Sequence, residues 1–165
     1  MTASTPETAT ACPMCTGAAS DAGFFREQVW EDERWRLTTS SGPGDPTPGF
    51  SYLEPKRHIP YITDLDGEEA ATFGPVLARC SAALKEATGS ELVYIYVFGD
   101  SIPHLHVHLA PHREGDALVA VPIRGEFEER QLENGAVGLV SVDFPSLPTE
   151  ELRGVIDRVR LLLAK

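Results

Sequence analysis

The chain has few cysteines and no long apolar run. It contains three cysteines among 165 residues, and an odd number without an export signal argues against a disulfide framework. No segment reaches the roughly 18 uninterrupted apolar residues that a membrane span needs. Residues 1–11 lack the basic and apolar segments of a signal peptide. We therefore expect a cytoplasmic protein without a membrane partner.

Positive charge is also scarce. The sequence has 14 Lys and Arg residues against 25 Asp and Glu residues, which gives a net charge of −11. No run of basic residues offsets this excess, and an acidic surface repels a phosphate backbone. We therefore expect no nucleic-acid partner, although a small anionic ligand can still bind where the local charge is positive.

The composition is that of one folded domain. Hydrophobic residues make up 42% of the chain and charged residues 24%, and this length is enough to bury a sizeable core. We expect a flexible tail over residues 1–11 and a single domain over residues 12–165. Residues rich in β-branched and aromatic types predict strands on both sides of Glu31-Asp32-Glu33 and over Phe50–Glu54, Leu92–Phe98 and Leu105–Ala110.

Two segments have helical periodicity. The first follows Asp64 or Asp66 as a capping residue and ends at Gly89, and Gly74-Pro75 inside it predicts a kink or an early break. The second covers Thr149 to Ala164, with Thr149 as the cap. Cys80 is expected to be a small buried apolar residue of the first helix.

Other segments are less regular. Prolines and glycines predict a loop over residues 40–49. Between residues 112 and 148, Leu118–Ile123 and Val137–Val142 have the composition of strands, and the charged stretch between them has no clear pattern.

Three of the five histidines fall within five residues, at His104, His106 and His108. Alternate side chains of a strand share a face, so the three imidazoles would lie opposite Leu105, Val107 and Leu109. The face could be merely polar, could bind a metal, or could supply a nucleophile, because imidazole has a pKa near 6.5 and attacks phosphorus when neutral. The scarcity of histidine elsewhere speaks against the first alternative.

The segment from His104 to Ala110 resembles the motif of the histidine triad (HIT) family, in which three histidines alternate with apolar residues. Pro55-Lys56-Arg57-His58, followed by Asp64-Leu65, and the Gly99-Asp100-Ser101 turn resemble other segments of the family. Pro111 and Arg113–Asp116 resemble the segment that follows the triad in bacterial members. The resemblance covers residues 12–118 and leaves 119–165 as a C-terminal extension. It implies an α+β fold with about five antiparallel strands, one long helix and a C-terminal helix, and a homodimer.

The resemblance also implies an activity. Family members hydrolyse or transfer nucleoside monophosphate groups at the α-phosphate of phosphoramidates or dinucleoside polyphosphates. By this analogy His106 would be the nucleophile that forms a nucleotidyl-histidine, and His108 would contact the phosphate and the leaving group. Gly99 and Ser101 would bind the phosphate. The alternatives are transfer to an acceptor other than water and non-catalytic nucleotide binding.

Cys12 and Cys15 form a Cys-x-x-Cys pair, which could be a redox pair, half of a zinc site or two idle thiols. The zinc-containing branch of the family, like the related galactose-1-phosphate uridylyltransferases, implies that His58 and His104 complete the site. Four protein ligands would make the zinc structural. A catalytic zinc with an open coordination position is the competing hypothesis.

The sequence departs from the family where the nucleoside would bind. Phe50 stands where the family has a histidine after Pro-Gly, and Val97 stands where it often has an asparagine. The family's ribose-binding aspartate would fall near Gly42, and Asp45 is out of register. The loop over residues 40–49 and the C-terminal extension could therefore build a different pocket, and the sequence does not predict which base it takes.

Overall fold

A computed structural model describes residues 12–42, 47–99, 102–112, 125–131 and 137–164. Its main feature is a five-stranded antiparallel sheet in the order β1-β2-β3-β5-β4, and a separate two-stranded sheet pairs β6 with β7. The strands are β1 Arg26–Glu31, β2 Trp35–Ser40, β3 Ser51–Pro55, β4 Val93–Tyr96, β5 Val107–Pro111, β6 Gly125–Gln131 and β7 Val137–Asp143. The α-helices are α1 Ala18–Gly23, α2 Gly67–Thr88 and α3 Thr149–Leu163, and short 3₁₀ helices cover Pro13–Thr16 and Ile62–Asp64.

The predicted α+β architecture is confirmed. The acidic segment forms the β1–β2 turn as expected, because the Asp32 carboxylate accepts hydrogen bonds from the backbone N–H groups of Arg34 and Trp35 at 2.8 and 2.7 Å. This Asx turn brings β2 back beside β1. Each strand of the sheet runs antiparallel to its neighbours. The strand order places β4 at one edge of the sheet and β1 at the other.

The hydrophobic core lies between one face of the sheet and helices α2 and α3. Along each strand, the side chains that enter the core alternate with side chains that point to the opposite face of the sheet. The core contains Trp35, Leu37, Leu53, Val107 and Leu109 from the strands, Cys80 and Leu84 from α2, and Ile156 and Val159 from α3. Cys80 is fully buried, as the sequence predicted.

Helix α2 corrects one expectation. It is a single helix through Gly74 and Pro75, so the predicted early break is wrong, and the alternative of a kink stays a prediction. Proline removes one backbone donor from the helix. Packing of Val76, Cys80 and Leu84 into the core offsets that loss. The helix ends as predicted, at Gly89 in the left-handed conformation with φ of 70°.

The predicted cap position of α2 is confirmed at Asp66, whereas the predicted cap of α3 is displaced by one residue. Asp66 occupies the N-cap position of α2 without a side-chain hydrogen bond to the helix, because its carboxylate pairs with Arg57. Asp64 belongs to the preceding 3₁₀ helix. Pro148, not Thr149, is the N-cap of α3, and Thr149 is its first helical residue.

The region after the triad is only partly described. Strand β7 confirms the strand predicted at Val137–Val142, and the charged stretch before it forms β6, because a hairpin lets charged side chains point to solvent. The predicted tail 1–11 and the predicted strand Leu118–Ile123 lie outside the described residues. Among the described helices, none has the length and apolar character that a membrane crossing requires.

Candidate active site and metal centre

The triad histidines occupy the start of β5 and the residues just before it. The strand begins at Val107, later than the predicted start at Leu105, so His104 and His106 precede it. Alternation holds in part: Leu105, Val107 and Leu109 are buried and His106 and His108 are partly exposed. The third imidazole, that of His104, is also buried, so the predicted open face carries two histidines. The apolar side of this segment therefore anchors it, and His106 and His108 face away from the core.

Backbone contacts fix the ring orientation of His106. Its Nδ1 lies 2.6 Å from the carbonyl oxygen of His104, a distance at which the nitrogen must donate a hydrogen bond. With the proton on Nδ1, the lone pair of the neutral ring is on Nε2. The chain thus holds one imidazole in the tautomer that a nucleophile needs.

His108 lies among aromatic rings. The sheet register places Tyr52 of β3 and Tyr96 of β4 on either side of it. The Tyr96 ring stacks on the imidazole at 4.5 Å with an interplanar angle of 2°, and the Tyr52 ring meets it edge-on at 5.2 Å. His108 Nδ1 lies 3.3 Å from the Tyr96 carbonyl oxygen, and its ring centroid is 5.1 Å from that of His106. The two histidines can therefore act on one substrate.

A cavity of about 230 Å³ opens beside the two histidines. Its wall combines apolar, aromatic and charged groups from four parts of the chain. The lining residues are Met14, Phe24, Arg26, Tyr52, Ile102, His106 and His108. The cavity is thus a site where an organic ligand can reach His106 and His108.

The four predicted metal ligands converge. The donor atoms of Cys12, Cys15, His58 and His104 all lie within 4.8 Å of one another. The His104 Nδ1 is 3.5 Å from Cys12 Sγ and 3.4 Å from Cys15 Sγ, and His58 Nδ1 is 3.5 Å from Cys15 Sγ. Two ligands at the usual Zn–S and Zn–N bond lengths of a tetrahedral site are about 3.6 Å apart. The donor set and these spacings fit zinc.

The protonation of this cluster also suits a metal. Burial lowers the pKa of His104 to about 4, so its ring is neutral, and its Nε2 donates to the Pro55 carbonyl at 2.9 Å, which leaves Nδ1 free to bind. Burial and the adjacent Cys12 raise the pKa of the Cys15 thiol to about 11. A nearby cation is therefore needed to keep this sulfur as a thiolate at neutral pH.

A buried charge cluster lies next to the cavity. The cluster consists of Asp21 from α1, Arg26 from β1, Arg36 from β2 and Glu54 from β3. Burial raises the pKa of Glu54, and the two guanidiniums oppose that rise. Each Glu54 oxygen accepts a hydrogen bond from a different arginine, which favours the ionised carboxylate. The cluster ties α1, and with it the cysteine segment, to three strands.

The phosphate-binding roles of Gly99 and Ser101 both stay predictions. Gly99 adopts a positive φ of 73°, a conformation that suits glycine at a turn. Ser101 lies outside the described residues, so its role in phosphate binding stays a prediction. Phe50, which replaces the family's histidine, is buried with its ring 6.0 Å from that of His108.

Sequence reasoning missed the cavity residues other than the histidines. Met14 lies between the two cysteines, and Arg26 and Tyr52 belong to strands far away in sequence. A possible signal was the single charged residue Glu54 inside an otherwise uncharged predicted strand, since a buried charge requires partners. Its partners could be identified only once the strand register was known.

Comparison with known proteins agrees with this geometry. The HIT domain family profile matches residues 27–115. A nitrilase and fragile histidine triad fusion protein from Caenorhabditis elegans is 33% identical over 75 residues, which are 42% of this chain and 17% of that protein. The chain thus spans less than a fifth of the length of this curated relative.

Solved structures share the fold. A Zn-bound histidine triad family protein from Mycobacterium smegmatis aligns with a TM-score of 0.60 and 22% identity, over 95% of this chain and 96% of that one. A hypothetical histidine triad nucleotide-binding protein from Sulfolobus tokodaii aligns with a TM-score of 0.62 and 19% identity, over 93% and 92%. The family profile covers more than half of the sequence and includes the triad. The chain therefore belongs to the HIT domain family.

Proposed function

We propose that this protein is a nucleotide hydrolase that acts at the α-phosphate of a nucleoside phosphoramidate or a dinucleoside polyphosphate. The observation that carries the proposal is the fixed tautomer of His106 beside a cavity that it shares with His108. An Nε2 that carries the lone pair of the imidazole is a nucleophile for phosphorus. Family membership supports the same chemistry.

The reaction would proceed in two displacements. His106 Nε2 forms a bond to the α-phosphorus while the bond from phosphorus to the leaving group breaks, and the leaving group takes a proton from a donor such as His108. Water then attacks the phosphorus of the nucleotidyl-histidine and gives a proton back to the donor used in the first step, and the P–N bond breaks to return the electron pair to Nε2. The products are a nucleoside monophosphate and the free amine or nucleotide. Gly99 and Ser101 are proposed to bind the phosphate oxygens.

Zinc is proposed as a structural component. With Cys12, Cys15, His58 and His104 all engaged, a tetrahedral ion has no open position for substrate or water. Bound there, the ion would supply positive charge that stabilises the cysteine thiolates and would cross-link the segments that carry the four donors. It would join the N-terminal segment to the residue two positions before His106. This proposal opposes a catalytic zinc and predicts chemistry that does not need metal-bound water.

We also propose a homodimer through β4. This strand ends the described sheet, and three apolar side chains at or just after it are unusually exposed: Ile95 at 48%, Val97 at 36% and Phe98 at 64%. Edge-to-edge pairing with a second copy would cover them and extend the sheet. The neighbouring His108 would then lie close to the interface.

The test is product analysis with adenosine and guanosine phosphoramidates and dinucleoside polyphosphates. We expect release of nucleoside monophosphate, and a loss of at least about a thousandfold in kcat for His106→Asn, because the nucleophile is removed. The matched control is His112→Asn, because His112 contacts Tyr94 and does not line the cavity. This variant should keep its activity. Full activity of His106→Asn would contradict the mechanism.

Added inorganic phosphate separates hydrolysis from transfer. A nucleoside diphosphate formed only with phosphate present would identify a phosphorylase. Nucleotide binding without turnover of any substrate would identify a binding protein.

A further inference from the structure

Arg26 lines the cavity and carries a positive charge, and the proposed reaction gives it no role. Its Nε donates to Asp21 Oδ1 at 3.0 Å and its Nη1 donates to Glu54 Oε1. Its Nη2 is buried and has no hydrogen-bond partner among the described residues. A buried donor without an acceptor is costly, so a structure that keeps one is suited to a ligand that supplies the acceptor.

The surroundings of Arg26 show what shape of ligand fits. Its Cζ lies 5.2 Å from the Phe24 ring centroid and 5.5 Å from that of Tyr52, and both rings line the cavity with it. The Tyr52 ring is also in contact with His108, so the same aromatic side chain adjoins the guanidinium and the triad. A flat aromatic group can pack against these rings while its edge meets the guanidinium.

The charge balance shows what kind of acceptor fits. Asp21 and Glu54 each pair with both Arg26 and Arg36, so two carboxyl groups already offset two guanidiniums. An anionic ligand group at Nη2 would lie near both acids without a spare positive charge to offset it. A neutral acceptor such as a carbonyl oxygen carries no such cost.

We propose that Arg26 determines base specificity, with its Nη2 donating a hydrogen bond to a carbonyl oxygen on the edge of the substrate's base. This inference rests on the proposed function and names its substrate class: nucleotides of guanine, hypoxanthine or uracil, in preference to adenine. Adenine presents an amino group at the corresponding edge position, and a donor facing a donor leaves both unpaired. Arg26 is thus a specificity-determining residue and takes no part in the bond changes at phosphorus.

The experiment compares guanosine, inosine and adenosine 5′-phosphoramidates by kcat/KM. We expect the guanosine compound to exceed the adenosine compound by about tenfold or more, the range for a hydrogen bond to a charged group. Inosine has the carbonyl and lacks the 2-amino group, so it should resemble guanosine. Equal values for guanosine and adenosine in the wild type would overturn the inference while the hydrolase proposal stands.

Two variants identify the residue responsible. Arg26→Met should bring the guanosine-to-adenosine ratio close to one by lowering the guanosine value. Arg36→Met is the matched control, because Arg36 pairs with the same two acids but does not line the cavity. It should change both substrates equally and keep the ratio. An unchanged ratio in a folded Arg26→Met protein would contradict the assignment.

The inference can also be tested without catalysis. Where Arg26→Met does not fold, Arg26→Lys retains a charge for Asp21 and Glu54 but lacks the second terminal nitrogen, and it should also reduce the ratio. Calorimetric titration with guanosine and adenosine 5′-monophosphates measures binding alone. Tighter binding of guanosine monophosphate that Arg26→Lys abolishes would support the inference even if no substrate were turned over, whereas equal binding would overturn it.

Discussion

For single residues, the immediate contacts determine what each histidine can do. His104 is buried, neutral and oriented by Pro55, whereas His106 is bonded through Nδ1 to the His104 carbonyl. The same residue type therefore serves as a proposed metal ligand at one position and as a proposed nucleophile two positions later. The backbone bond of His106 means that movement of His104 would also disturb the nucleophile.

A prediction for this scale concerns Glu54, which is fully buried between two arginines. Glu54→Leu leaves Arg26 and Arg36 with less compensation in a buried site, and removal of one partner from a buried network costs about 3–5 kcal/mol. The free energy of unfolding from urea titration measures this loss. The control Glu31→Gln removes an exposed partner of Lys56 and should change stability by less than about 1 kcal/mol. Equal effects of the two substitutions would contradict the role assigned to burial.

For secondary-structure elements, α2 shows how packing can outweigh local sequence preference. Gly74 and Pro75 are both poor helix residues, yet the helix runs across them. The apolar residues on either side lie in the core, and the free energy of that burial maintains the helix. Gly74 and Pro75 therefore lower the stability of the helix, although they do not determine where it ends.

Because Gly74 and Pro75 disfavour the helix, replacing either of them should stabilise α2. Gly74→Ala should raise the free energy of unfolding by about 1 kcal/mol, since nothing lies within 4 Å of the added Cβ. Pro75→Ala restores a backbone donor and should raise it by more, up to about 3 kcal/mol. Urea titration of each variant checks this order.

Gly49→Ala serves as the opposite control. Its added Cβ would come within 2.8 Å of Thr88 Cγ2, and the native φ of 76° strains an alanine, so this variant should lose stability. A lower free energy of unfolding for Pro75→Ala would contradict the prediction and would show that packing of the proline ring stabilises the helix.

For the whole molecule, the cluster of Cys12, Cys15, His58 and His104 joins segments that are distant in sequence. Cys12 and His104 are 92 positions apart, and the helix α1 that follows the cysteines is bound to the sheet through Asp21. Met14, between the two cysteines, lines the cavity. Loss of the proposed zinc should therefore affect both the stability of the protein and the shape of the cavity.

We expect the purified protein to contain about one zinc per chain, by elemental mass spectrometry, because four donors form one tetrahedral site. Cys12→Ser should lose the metal and lower the Tm, whereas Cys80→Ser, at a buried cysteine outside the cluster, should retain it. A chelator should lower the Tm of the wild type to that of Cys12→Ser. Zinc content unaffected by Cys12→Ser would contradict the assignment.

The proposed dimer gives a prediction for the edge of the sheet. Ile95→Lys places a charge among the exposed apolar side chains of β4, and burial of an unpaired charge opposes association. Sedimentation velocity should show a dimer for the wild type and a monomer for the variant. The control is Leu161→Lys, at an exposed residue of α3, a helix that packs against β1 at the other end of the sheet order; this variant should remain dimeric. A monomeric wild type would contradict the proposal.

The sequence by itself determined the features that depend on near neighbours. The period of two in a strand places His106 and His108 on one side of their segment and buries Leu105 and Val107 on the other. The acidic turn after β1 and the glycine at the end of α2 also follow from local chemistry. The ligand set at His58 and His104 came from the family resemblance, and the structure brings those donors together.

Only the tertiary structure decided which distant residues share the site. Strand register places Tyr52 and Tyr96 beside His108, and a shift of one residue would turn each to the opposite face. The pairing of Arg26 with Glu54 likewise requires β1, β2 and β3 to lie side by side. These contacts depend on how the sheet and α1 pack, a global balance of burial and chain entropy that no short segment encodes.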